Sequence, residues 1–261
     1  MNLEERQKIL SKYGYIFENE KKYYSKATGS SSKDYDLGGE SFFRRANLKF
    51  KEALGDVKNK KILDVGCGAG ALSFYLAQKG ANVTGIDLSK NSIDVCKNES
   101  KIRGLNIDFR EMNAQIPDFE DESFDMIVGS RVIHHLPNLE LFFKECKRLV
   151  KPNGYIAFIE PLKKNIIVEL NRKFFAPERR TRHEHPLYLS DIENAKAVFG
   201  NLEHHEYFLI SPLAMFFRDF IKNNILFKGF YKILNIIESP LTKVKVLKQY
   251  CWQTVIKCSK I

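Results

Sequence analysis

Lys61-Ile62-Leu63-Asp64-Val65-Gly66-Cys67-Gly68-Ala69-Gly70 is the stretch on which the fold turns. A short apolar run carries one acidic residue and ends in glycines at every second position. Leu72, Tyr75 and Leu76 then recur at helical spacing. Glycine has no Cβ, so backbone N–H groups there can come close to a ligand. A strand, a tight turn and a helix N-terminus in this order make a nucleotide-type pocket at the carboxyl end of a parallel strand. Which nucleotide it takes is not decided by the turn alone.

Outward from this turn the chain alternates. Strands are predicted over 61–66, 82–87, 106–110, 124–129 and 154–160, with helices over roughly 70–79, 89–103 and 138–150 between them. Ser89 and Asn138 fit N-caps, and Lys79-Gly80 and Pro152-Asn153-Gly154 fit stops. The alternation predicts an α/β fold, a parallel sheet with helices on both faces. After Pro161 the texture changes. Residues 163–187 read as basic and irregular, a helix begins at Ser190 and runs to about Phe199, and 203–210 reads as a strand. Residues 211–248 are rich in Phe, Ile, Leu and Lys, and Tyr250–Lys257 has the composition of a final strand. Residues 1–60 read as helices around a loop at Ser30–Lys33.

The 261 residues suit one large domain with appendages, and 44% hydrophobic content is ordinary for a globular core. The N-terminus lacks an apolar signal-peptide core, and no run of about 18 apolar residues occurs, so a cytoplasmic location is expected. Five scattered cysteines without a CxxC pair read as reduced thiols and not as a zinc site. The net charge of +10 is uneven: residues 161–261 carry 17 basic and nine acidic side chains, whereas residues 61–160 carry 12 and 14. A basic C-terminal segment points to an anionic partner.

Two cofactor readings compete at the turn. Gly66 to Ala71 fits the dinucleotide pattern G-x-G-x-x-G/A, and Asp87 ends the following strand, where a carboxylate accepts from ribose hydroxyls. An NAD(P)-dependent oxidoreductase is therefore one reading. Asp64, two residues before the first glycine, weighs against it, since a carboxylate there suits an ammonium or sulfonium and repels pyrophosphate. No second domain for hydride transfer is visible either.

The ordered set ILDVGCGAG, GID ending at Asp87, Met112-Asn113-Ala114-Gln115-Ile116-Pro117 and SFDMIVGSRVIHHL resembles the class I S-adenosylmethionine-dependent methyltransferases. Within that family it is most similar to the branch with quinone-biosynthesis and small-molecule enzymes. The resemblance covers about residues 45–160. It implies a doubly wound, mostly parallel seven-stranded sheet of the Rossmann-like methyltransferase type within residues 46–261, with its core over 60–160; residues 1–45 read as an N-terminal helical cover, and a helical insert (211–248) stands where the family usually has a hairpin before the last strand. It implies S-adenosylmethionine as cofactor and a small-molecule acceptor. Gly66, Cys67, Gly68 and Gly70 would form the loop beside the methionine part, Asp64 would hold its amino group and Asp87 the ribose. Leu88, Asn113, Ala114 and Ser130 would complete the cofactor site. His135, with His134 beside it, would be the base for an acceptor hydroxyl or amine. The segment TRHEHPL, with His183, Glu184 and His185, resembles a stretch of the same group and is a candidate substrate contact. A metal role for its H-x-H is the weaker reading because no further ligand cluster accompanies it.

The insert carries seven basic side chains against Asp219 and Glu238. Helices are predicted over 213–223 and 224–238. Leu213, Phe216, Phe217, Phe220 and Ile221 gather on one face of the first. Asn224, Lys228, Lys232 and Asn235 form a narrow polar strip on the second. Such helices suit either a lid over an apolar or amphipathic acceptor or contact with an anionic membrane surface, peripheral to its inner face. Nucleic acid fits less well, as the aromatics are apolar-face phenylalanines.

Overall fold

The structure, a computed structural model, describes residues 3–27, 42–175 and 183–260. Two helices, α1 (Leu3–Ala27) and α2 (Arg44–Leu54), precede the alternating core of β1 (Lys61–Val65), α3 (Ala71–Gln78), β2 (Asn82–Asp87), α4 (Lys90–Ile102), β3 (Asp108–Glu111), β4 (Phe124–Ser130), α5 (Leu139–Leu149) and β5 (Val150–Pro161). The chain continues through α6 (Ile166–Phe175), α7 (Leu189–Phe199), β6 (Glu203–Tyr207), α8 (Met215–Asp219), α9 (Asn224–Leu241), α10 (Lys245–Lys248) and β7 (Gln253–Ser259).

The sheet order is β3-β2-β1-β4-β5-β7-β6, with β7 antiparallel to both of its neighbours and β1 to β5 parallel. The parallel part is the sheet that the alternation predicts, and the doubly wound seven-stranded order is the one that the resemblance implies. Adjacent residues of β1 show why the strand is almost continuously apolar. Ile62 belongs to the core layer under α2 and α3, and Leu63 to the layer under α5 and α7. Both are buried, as a central parallel strand requires. Because strand order reverses beside β1, the β1–α3 and β4–α5 connections open a crevice at the carboxyl edge.

The predicted caps form: Ser89 and Asn138 side chains accept from Ser92 N and Leu141 N. Residues 163–187 are less irregular than expected. Asn165 caps α6 by accepting from Val168 N, and its amide donates to the carbonyls of Phe208, Leu209 and Tyr250. That tertiary anchor lets a basic segment start a helix. β6 stops at Tyr207, short of the predicted 210. Phe208 enters the left-handed region at φ 68° with its ring fully buried and 5.1 Å from Phe42.

The insert also departs from prediction. Residues 213–223 do not form one helix; a 3-10 turn (Ser211–Ala214) leads into the short α8. Lys222 adopts φ 52°, and Asn223 then caps α9 by accepting from Ile225 N and Leu226 N. The Ser30–Lys33 loop and Arg179 to Arg182 lie outside the described residues. No helix among the described residues is long and apolar enough to cross a membrane.

Candidate active site

The glycine turn is shaped by its backbone. Gly66, Gly68 and Gly70 have φ of 63°, 52° and 82°, a region that L side chains rarely adopt. They do different jobs. A Cβ on Gly66 would fall 2.3 Å from Val132 Cγ2, so this glycine lets the turn pack against the end of β4. A Cβ on Gly68 would meet nothing within 4 Å, so the loop is open there. Gly70 is buried at the start of α3 against Phe74 and Cys96 and supports the turn from behind. It does not line the cavity.

That cavity, of about 330 Å³, lies over the carboxyl ends of β1, β2 and β4. Asp64, Gly66, Cys67, Gly68, Asp87, Leu88, Asn113, Ala114, Ser130 and His135 all line it. Its electrostatics are set by two carboxylates. Asp64 is 1% exposed, and burial pushes its pKa up to about 7, with Asp87 adding repulsion and the Ser73 hydroxyl, donating at 2.6 Å, pulling the other way. Asp87 is also held above the usual carboxylate range by burial, although it accepts from Ser89 N at 2.8 Å and Gly68 N at 2.9 Å. Each of its oxygens retains a second lone pair. Two such carboxylates over one cavity suit a ligand carrying a cation and a diol, and disfavour one carrying phosphates. Asn113 Oδ1 accepts from Gln115 N at 2.9 Å, so its first role is to fix the loop after β3, with one lone pair left for a ligand. The Cys67 thiol is pushed up by its contact with Cys96 and by burial, which makes it an inert wall.

The predicted histidines are separated in role by their partners. Glu160, buried at the end of β5, accepts from Val132 N, Ile133 N and His134 Nδ1 at 2.8, 2.9 and 2.7 Å. It thereby clamps the turn that follows β4. His134 is kept less basic than usual by burial, against the pull of Glu160. It faces a second cavity and not the first. His135, its ring centroid 4.1 Å from that of His134, points to the first. Its Nε2 lies 2.9 Å from Tyr24 Oη, and its Nδ1 lies 3.0 Å from Glu20 Oε2. Burial pushes the Tyr24 phenol far above its ordinary value, so it keeps its proton and donates. Tyr24 O–H thus donates to His135 Nε2, while Glu20 stands at ion-pair distance from Nδ1 without hydrogen-bond geometry.

The second cavity, of about 530 Å³, is walled by Phe42, Phe43 and Trp252 on one side, by Ile167, Val168 and Met215 on another, and by Arg131, Arg172, Arg218 and Glu184. Tyr24, Arg131 and His135 line both cavities and form the boundary between them. Of the TRHEHPL residues, Glu184 reaches this cavity, 3.8 Å from His134 Nε2. His183 contacts Asn19 and the Tyr15 ring on α1, and His185 N donates to His134 O; neither side chain lines either cavity. His134, His135 and Glu184 bring ligand atoms within 4.8 Å of one another. Each already has a partner: Glu160 for His134, Tyr24 and Glu20 for His135, and Arg172 at 3.9 Å for Glu184.

Glu20, Tyr24 and Glu160 were not legible beforehand. Glu20 and Tyr24 share one face of α1 at i, i+4, which was the only sequence trace of them.

A family model described as a methyltransferase domain matches residues 63–158. The ubiquinone biosynthesis O-methyltransferase of Coxiella burnetii (strain RSA 493 / Nine Mile phase I) is 36% identical over 155 residues, which is 59% of this chain and 58% of that protein. The protein of the same description from Actinobacillus pleuropneumoniae serotype 7 (strain AP76) is 41% identical over 106 residues, 38% of this chain and 44% of that one. The chain thus spans about half the length of the curated relatives it matches. Among solved structures, geranyl diphosphate C-methyltransferase from Streptomyces coelicolor A3(2) matches with a TM-score of 0.64 at 14% identity, covering 94% of this chain and 98% of that one. The [4+2]-cyclase SpnF matches at 0.57 and 17% identity, covering 97% and 95%. Identities this low speak for the fold alone. Residues 63–158 match the methyltransferase-domain family, and the described chain around them shares the seven-stranded α/β fold of these structures.

Proposed function

We propose that the protein transfers a methyl group from S-adenosylmethionine to a small, apolar or amphipathic acceptor. The observation that carries this is the shared boundary: His135 and Tyr24 stand between a cavity with two buried carboxylates and a larger one with an aromatic wall and three arginines. The first fits the cofactor. Asp64 takes the ammonium, Asp87 the ribose hydroxyls, and the open face at Gly68 the methionine chain. The bound cofactor supplies an electrophilic methyl on sulfonium, so the protein's task is positioning and water exclusion.

The acceptor occupies the second cavity, its nucleophile toward His135. Glu20 Oε2, 3.0 Å from Nδ1, orients the imidazole; the acceptor's O–H or N–H replaces the Tyr24 hydroxyl at Nε2, which then receives the acceptor's proton. Tyr24, which holds that nitrogen until the acceptor enters, rides on α1 and seals the boundary against water. A quinone-like acceptor is supported by the relatives' description and by the aromatic wall of Phe42, Phe43 and Trp252, while the three arginines favour an acceptor with an anionic or hydrogen-bond-accepting end.

The dinucleotide reading is disfavoured by the same carboxylates. The fold does not by itself fix the reaction, since a [4+2]-cyclase shares it. Calorimetric titration with S-adenosylhomocysteine and with NADH tests the assignment. Micromolar binding of the first and none of the second is expected; selective NADH binding would overturn it.

A further inference from the structure

Thirteen of the 21 exposed large hydrophobic side chains among the described residues fall within 211–250. Helix α9 concentrates them because it is apolar on more than one face. Its face toward the protein carries Phe227, Tyr231, Asn235 and the fully buried Glu238. Glu238 takes Arg45 Nη1 at 2.9 Å and accepts from Ile210 N and Ser211 N at 2.9 and 2.8 Å. These bonds fix the rotation of the helix. Its other face therefore holds Ile225, Ile233 and Ile236 at 83%, 56% and 67% exposure. An ordinary surface helix presents polar side chains there.

Charge borders this strip on one side. Lys228 and Lys232 lie one turn apart beside it, and with Arg44 and Arg45 they line an open groove of about 520 Å³. On its other side α9 meets α8, where Phe217 and Phe230 stack with centroids 4.2 Å apart. Met215 and Arg218 of α8 belong to the wall of the acceptor cavity. The exposed apolar surface is thus continuous with the cavity beside His135. A second copy of the chain is a poor match for this face, because apposing two inserts of net charge +5 brings like charges together. An anionic bilayer matches both its parts, acyl chains for the isoleucines and phosphates for the cations.

We propose that the α8–α9 face seats on an anionic phospholipid surface. Ile225, Ile233 and Ile236 enter the acyl boundary, Lys228 and Lys232 meet the phosphates, and the acceptor cavity opens toward the lipid. Docking itself is independent of the methyl-transfer reading; only the entry of a lipid-dissolved acceptor rests on it.

Flotation of the full chain with vesicles of phosphatidylcholine alone, and of equimolar phosphatidylcholine and phosphatidylglycerol, tests the docking. Binding to the anionic vesicles only, weakened by salt, is expected. Lys228→Gln with Lys232→Gln should weaken it about 30-fold, from the usual contribution of each lysine near such a surface. Ile225→Ser with Ile233→Ser and Ile236→Ser should abolish retention at high salt. All five positions are exposed, and undiminished S-adenosylhomocysteine binding reports an intact fold. Equal binding to both vesicle types, or full binding by the serine variant, would overturn the proposal. So would a stable dimer in sedimentation with no vesicle binding. Loss of S-adenosylhomocysteine binding by the unmodified chain would count against the methyltransferase reading and leave the docking result standing.

Discussion

Replacing Asp64 by asparagine should stabilise the ligand-free protein while impairing its cofactor site. In an unfolded chain an aspartate titrates near 3.9. On β1, burial pushes Asp64 up to about 7. The sign follows from the order of these values. Below about pH 4 both states hold the proton and no cost arises. Between about pH 4 and 7 the unfolded state ionises while the native state does not, so native stability falls; above about 7 the loss is constant. At 1.36 kcal/mol for each step of the pH scale, a gap of about three steps is up to about 4 kcal/mol. Asparagine keeps the side-chain shape and an oxygen for Ser73, and removes the charge. At about 2–3 °C per kcal/mol for a chain of this size, Asp64→Asn should raise the melting temperature by up to about 10 °C at pH 8. At pH 5 the gain should be less than half of that. Calorimetry or fluorescence-detected melting of both proteins at the two pH values reads this directly. A variant no more stable at pH 8 than the parent would refute the argument. The functional counterpart is that a bound ammonium offsets the cost of ionisation. Affinity of the parent for S-adenosylhomocysteine should therefore fall as pH drops below 7, by up to about tenfold per step, and the variant should lose that dependence.

Three further substitutions probe the turn and the histidine clamp. Gly66→Ala combines left-handed backbone strain with a clash at 2.3 Å with Val132, so it should destabilise by about 2–4 kcal/mol in denaturant titration, whereas Gly68→Ala meets nothing and should cost only about 1 kcal/mol while weakening cofactor binding. Glu160→Gln presents an amide N–H to His134 Nδ1–H and should lower stability by about 1–3 kcal/mol. By loosening the turn it should also lower kcat more than it changes S-adenosylhomocysteine affinity.

The sequence exposed the parts of this protein whose chemistry is local. The glycine turn, the Ser89 and Asn138 caps and the near-continuous apolar strands each follow from a few neighbouring residues, and they determine a parallel sheet and its crevice. What escaped depends on residues far apart in the chain. Tyr24 and Glu20 reach His135 across more than a hundred residues, from a helix that carries no motif. Glu160 reads simply as the polar end of a strand until the backbone of Val132 and Ile133 arrives beside it. Helix α9 was legible as an apolar helix with a narrow polar strip, suited to a lid or to a membrane contact. Which side faces the protein was not, because it depends on Glu238 turning inward to accept from Ile210 N and Ser211 N, with Phe227 and Tyr231 packed beside it.

The central claim is methyl transfer with His135 as base, and labelled transfer tests it most directly. The protein is incubated with methyl-labelled S-adenosylmethionine and a lipid-soluble cell extract, and products are identified by mass spectrometry. Label should enter an acceptor in the presence of the parent protein. His135→Gln should lower that transfer by about 10²-fold or more while leaving S-adenosylhomocysteine affinity within a few-fold. Undiminished transfer by His135→Gln would contradict the base assignment, and cofactor binding without any transfer across such extracts would contradict the claim that this chain is a methyltransferase.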